Sequence, residues 1–72
     1  MATFPDRLKE ARRAKGITQK AMAEYLDIQE TSYQLYEYGQ REPNHERTVK
    51  IADILDVSVD YLLGRSDNPK RQ

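Results

Sequence analysis

The sequence predicts an all-α domain of five short helices, on three observations. Apolar residues recur at helical spacing: Phe4, Leu8 and Ala11, then Met22, Ala23 and Leu26, then Ile51, Ala52 and Leu55. Each run is bounded by residues that start or stop a helix. The chain has 72 residues and no cysteine, so neither a disulfide nor a thiolate metal site staples it, and tight helix packing is the remaining route to stability. Five helices of this length leave no room for a strand.

The elements run in order. Thr3 and Asp6 stand at capping-box spacing, and Pro5 falls in the first turn, where its missing N–H costs nothing. This gives a first helix over about residues 4 to 14, ended by Gly16, with Ile17 as an inward anchor. Thr18 caps a second helix whose inner side carries Met22, Ala23 and Leu26, and Asp27 takes the turn in the left-handed region. A third helix over about 29 to 37 turns Tyr33, Tyr36 and Glu37 inward and closes at Gly39. "GQREPN" is a loop with a cap at Asn44, leading to a fourth helix over about 45 to 55 with Thr48 on its inner stripe. Asp56 repeats the turn of Asp27, and Ser58 caps a short fifth helix, "VDYLL", stopped by Gly64. Residues 1–64 therefore read as one domain and residues 65–72, "RSDNPKRQ", as a polar, mobile tail.

Twelve basic and twelve acidic residues cancel in number, but they are sorted along the chain. Residues 7 to 15 hold Arg7, Lys9, Arg12, Arg13 and Lys15 against Glu10 alone, whereas residues 21 to 40 hold Glu24, Asp27, Glu30 and Glu37 and no base. No apolar run approaches the roughly 20 residues that span a bilayer. "MATFPDRLKE" lacks the apolar core of a signal peptide, so a cytoplasmic location is expected. His45 is a lone histidine with no second ligand at metal spacing, and there is no Gly-rich phosphate loop or Ser/His/Asp set. Neither an enzyme nor a bound cofactor is expected.

The second and third helices are joined by about three residues, Asp27 to Gln29. So short a turn forces a steep crossing, and small Ala23 lets the two helices touch. The outer row of the third helix is thereby propped into solvent, the geometry in which a helix enters the DNA major groove. With "RLKEARRAKGITQKAMAEYLDI", "YEYGQREP" and "IADILDVSVDYLLG" in this order, the chain resembles the Xre/Cro–repressor family of bacterial and phage transcription regulators over about residues 4 to 68. The resemblance implies a lambda-repressor-like helix-turn-helix domain that binds double-stranded operator DNA, with repression as the expected role.

The resemblance assigns roles residue by residue. Arg12 and Glu37 match the family's structural ion pair between the first helix and the end of the third. Gln29, Glu30, Thr31 and Gln34 fall on the base-reading positions, with Leu35 beside a thymine methyl. Gln can bond adenine through two atoms, Glu accepts from cytosine N4, and Thr serves either edge. Gln19 matches a glutamine that binds the DNA backbone, and Lys20, Tyr38 and Arg41 are phosphate partners flanking the row. Tyr61 and Leu63 are expected at the surface of the fifth helix as the interface of a weak homodimer on a palindromic operator.

Four positions depart from the family pattern: Asp27 replaces a common glycine, Gln29 a common serine cap, Glu30 a common base, and Thr48 a core aliphatic. Glu30 opposes phosphate and lowers the expected non-specific affinity. Two alternatives share the scaffold: an antitoxin-like module that binds a protein partner, and the DNA-binding half of a longer regulator.

Overall fold

A computed structural model describes residues 3–71. Met1, Ala2 and Gln72, parts of the expected domain and tail, lie outside the described residues. The helices are α1 (Phe4–Ala14), α2 (Gln19–Leu26), α3 (Glu30–Glu37), α4 (His45–Leu55) and α5 (Val59–Leu62). Among the described residues there is no strand.

The caps show why the boundaries fall there. Thr18 Oγ1 accepts from Ala21 N at 3.0 Å, Asn44 Oδ1 from Arg47 N at 2.8 Å, and Ser58 Oγ from Tyr61 N at 2.9 Å. Each bond satisfies an N–H that the first helical turn leaves unpaired. Thr3 differs from its expected capping role: its hydroxyl donates to Asp6 Oδ2 at 3.0 Å and caps no N–H. Gln29 stands at the N-cap of α3 without a side-chain cap bond, so the helix begins at Glu30. Gly39 ends α3 at φ +76°, a left-handed conformation that favours glycine, while a Cβ there would make ordinary contact with Pro5 Cγ at 3.4 Å.

The core joins Leu8 and Ala11 of α1, Met22, Ala23 and Leu26 of α2, Tyr33 and Tyr36 of α3, Ile51, Ala52 and Leu55 of α4, and Leu62 of α5. Ile17, Ile28 and Val57 pack against it from the turns. Ala23 is buried where α2 crosses α3, and the rings of Tyr33 and Tyr36 meet edge to face at 85° with centroids 6.2 Å apart. Thr48 keeps its buried place by donating Oγ1–H to Asn44 O at 2.8 Å, which satisfies the hydroxyl that an aliphatic would lack.

The segment after Gly64 differs from the expected mobile tail. Ser58 N donates to Pro69 O at 2.9 Å, and Arg71 pairs with Asp53. Arg7 supplies most of the clamp. It is buried, donates to Ser66 O at 3.0 Å, Tyr61 O at 3.3 Å and Asp67 Oδ1 at 2.7 Å, and lies 4.1 Å above the Tyr61 ring. The polar composition signalled solvent, but Ser66 O and the Asp67 carboxylate find the Arg7 guanidinium.

Candidate nucleic-acid interface

Helix α3 is held from below by a buried charge cluster. Arg12 donates to both carboxylate oxygens of Glu37, Nε to Oε2 at 2.5 Å and Nη2 to Oε1 at 3.2 Å, and to Ile17 O through Nη1 at 2.8 Å. Tyr33 Oη also donates to Glu37 Oε2, and Gln19 Nε2 donates to Oε1 at 3.1 Å. Burial pushes the Glu37 carboxyl up, but the donors Arg12, Tyr33 and Gln19 outweigh it and hold the group below the usual carboxylate range. The bond to Glu37 raises Arg12, and burial followed by the same carboxylate raises Tyr33. Glu37 is therefore ionised and Arg12 and Tyr33 protonated near neutral pH. The cluster ties α1, the start of α2 and the end of α3 into one unit.

Toward solvent on α3, Gln29, Glu30 and Thr31 are exposed, and Gln34 and Leu35 are half-buried. The five residues stand at the N-cap and at the first, second, fifth and sixth positions of α3. The row carries one formal charge, on Glu30, and otherwise offers amides, a hydroxyl and an aliphatic.

An open cleft runs beside this row, lined by Lys9, Arg12, Arg13, Thr18, Gln19, Lys20, Glu30 and Tyr38. It brings together three of the expected phosphate partners, Gln19, Lys20 and Tyr38. Arg41 does not line it; exposed beyond Gly39, it stands where the chain leaves α3, with its N–H bonded to Leu35 O at 3.3 Å. Gln19 is less free than expected, because one amide proton is spent on Glu37 and its oxygen accepts from Gln34 Nε2 at 3.1 Å. Lys9 and Arg13 are exposed, line the same cleft, and were not assigned from the sequence. Their signal was present in the basic run of residues 7 to 15; what the sequence lacked was the packing of α1 against α3 that turns this side of α1 toward the row.

Tyr61 and Leu63, expected to share one surface, line different grooves. Tyr61 lies under Arg7 in a groove with Ala14, Leu55 and Val57. Leu63 is half-exposed in a groove with Phe4, Pro43, Val49 and Val59, where Val49 is the other exposed aliphatic. Four residues of α5 make barely one turn, so neighbours in sequence leave it in different directions.

Two helices joined by a three-residue turn with Asp27 in the left-handed region, the second with a polar outer row and a basic flank, define a helix-turn-helix domain. The chain belongs to the helix-turn-helix family, whose model matches residues 8–62. It is 45% identical over 67 residues to the uncharacterized HTH-type transcriptional regulator YqaE of Bacillus subtilis (strain 168), covering 93% of this chain and 58% of that protein. It is 47% identical over 60 residues to the cryptic phage CTXphi transcriptional repressor RstR of Vibrio cholerae, covering 83% of this chain and 54% of that protein. The chain thus spans little more than half the length of these relatives. Among solved structures, the P22 c2 repressor in complex with a synthetic operator has the same fold, with a TM-score of 0.84 at 24% identity over 92% of this chain and 100% of that one. The restriction-modification controller protein C.AhdI of Aeromonas hydrophila aligns with a TM-score of 0.75 at 32% identity, over 83% of this chain and 91% of that one. The five-helix architecture is therefore the fold of the DNA-binding domain of the P22 c2 repressor. No helix among the described residues is long and apolar enough to cross a membrane.

Proposed function

We propose that the chain binds double-stranded DNA sequence-specifically and serves as the DNA-reading part of a transcriptional repressor in the cytoplasm, with no catalytic role. The observation that carries this reading is the α3 row: polar, outward, and fixed from behind by the Arg12–Glu37 cluster. A solvated face needs no such rigid backing, whereas base reading needs donors and acceptors held in place. Gln29, Glu30, Thr31, Gln34 and Leu35 meet base edges. Lys20, Tyr38 and Arg41, joined by Lys9 and Arg13 of the cleft, meet phosphates on either side, and Gln19 acts chiefly as a brace. The repressors among the similar proteins support the direction of regulation.

The DNA-bound form is a homodimer on a palindromic operator, which places two copies of α3 about 34 Å apart. The exposed Val49 and Leu63, in one groove with Phe4, Pro43 and Val59, support this face as the seat of a second copy. Its small area implies weak pairing off DNA, completed when both half-sites are occupied. Mobility of random duplex at low salt, followed by selection of bound sequences, tests the reading. Salt-sensitive binding and a palindromic consensus are expected; no retention of duplex at low salt would refute it. Leu63→Asp should abolish cooperative binding while leaving half-site affinity intact.

A further inference from the structure

We infer that Gln34 reads an exocyclic amino group in the major groove, adenine N6 or cytosine N4, because a chain of hydrogen bonds from Glu37 through Gln19 fixes its amide with the oxygen facing outward. The inference rests on the DNA-binding reading and names the base chemistry of one position in that row.

The chain starts at a group that can only accept. An ionised carboxylate has no proton to give, so the Gln19 atom 3.1 Å from Glu37 Oε1 is its amide nitrogen. The Gln19 oxygen is thereby turned to Gln34, and an oxygen must meet a donor: Gln34 Nε2, at 3.1 Å. A second acceptor-only group, Glu30 Oε2, lies 3.5 Å from the same Gln34 nitrogen. Flipping the Gln34 amide would set its oxygen against the oxygens of both Gln19 and Glu30. Flipping both glutamines would set the Gln19 oxygen against Glu37 instead. The orientation is thus dictated by the protonation of Glu37, whose other donors, Arg12 and Tyr33, keep it charged.

Both protons of the Gln34 amide face acceptors of the protein, and the atom left for a ligand is Oε1. In the major groove only adenine N6 and cytosine N4 donate; guanine offers N7 and O6, and thymine O4 and a methyl. The two-atom pairing with adenine expected of glutamine needs a free donor as well, which Gln34 could supply only by giving up its long contact to Glu30 Oε2 at 3.5 Å. Gln29, exposed and without a cap bond, retains both kinds of atom.

Base analogues in the selected duplex test the assignment. Gln34→Ala first locates the base pair whose preference depends on this side chain. At that pair the amino group is removed, with purine in place of adenine or 2-pyrimidinone in place of cytosine. In a second duplex, 7-deazaadenine, or 7-deazaguanine opposite the cytosine, removes the purine N7 acceptor and leaves the amino group in place. Loss of the amino group should weaken wild-type binding roughly tenfold relative to Gln34→Ala on the same duplex, the scale of one hydrogen bond, while loss of N7 should leave it unchanged. Gln19→Leu, which releases the Gln34 amide to rotate, should remove most of that selectivity. Sensitivity to N7 instead of the amino group, absence of any Gln34-dependent pair, or unaltered selectivity in Gln19→Leu would overturn the inference while leaving DNA binding standing. Selection that yields no preferred sequence would overturn both.

Discussion

The units α2–Asp27–α3 and α4–Asp56–α5 share a turn down to its hydrogen bonds and diverge in the helix beyond it. Asp27 and Asp56 both adopt φ 56°, ψ 45°. Ile28 N reaches Ala23 O at 3.0 Å, and Val57 N reaches Ala52 O at 3.1 Å, each pulling an aliphatic side chain onto the core. After the first turn comes an eight-residue helix with an open polar row; after the second, a four-residue helix with Leu62 buried and one flank covered by Arg7 and the returning chain. The same turn therefore supports two purposes. It sets how helices cross, and the outward residues with their charged surroundings decide whether the second helix presents an open polar row or packs.

The largest expected difference lies in the charges behind each unit. Arg12→Ala leaves the buried Glu37 carboxylate short of its main partner and should cost about 3–5 kcal/mol in urea unfolding. Arg7→Ala, behind the second unit, loses two carbonyl bonds and an ion pair with a fully exposed Asp67, and should cost about 1–2 kcal/mol. Equal losses would mean that the two arginines serve equivalent supports.

Acid should break the first unit before the second. The folded-state pKa of Glu37 lies below its ordinary value of 4.5, so the unfolded chain takes up a proton at higher pH than the folded one. The stabilisation is complete above about pH 4.5 and is lost as pH falls through the lower folded value. Glu37→Gln should be less stable than wild type at neutral pH, and the gap should close on acidification. A gap independent of pH would assign the carboxylate no linked proton.

The smallest effect compares the turns themselves. Asp27→Gly and Asp56→Gly each relieve a left-handed backbone but loosen the unfolded chain, for a net gain of about 0.5 kcal/mol, equal at both sites. Thermal unfolding that moves in opposite directions for the two would show that the turns are not equivalent.

Much of the fold is legible in the sequence because caps and turns are local. Thr18, Asn44 and Ser58 announce their helices, and Asp27 and Asp56 their bends, through interactions three to five residues long. Arg12 and Glu37 lie 25 positions apart, and only the family resemblance joins them. Contacts set by tertiary packing are not legible. The clamp of Arg7 on Ser66 and Asp67 spans about 60 positions, so the final segment reads as a free tail. Tyr61 likewise reads as surface because the guanidinium that covers it comes from α1. Lys9 and Arg13 are visible as charge but not as neighbours of Lys20 and Tyr38. The engagement of Gln19 inward, rather than toward a phosphate, depends on where α3 places Gln34.

The central claim, that the outer row of α3 reads bases while the cluster beneath it only holds the helix, is tested most directly by Thr31→Ala. Its affinity for the selected site and for random duplex should be measured beside its unfolding free energy. Thr31 is exposed at the start of α3, so stability should stay within about 0.5 kcal/mol of wild type. Affinity for the selected site should fall by about 1–3 kcal/mol, confined to one base pair in each half-site, with random-duplex affinity unchanged. Equal weakening on both duplexes, or no change on either, would contradict the assignment of this row to base reading.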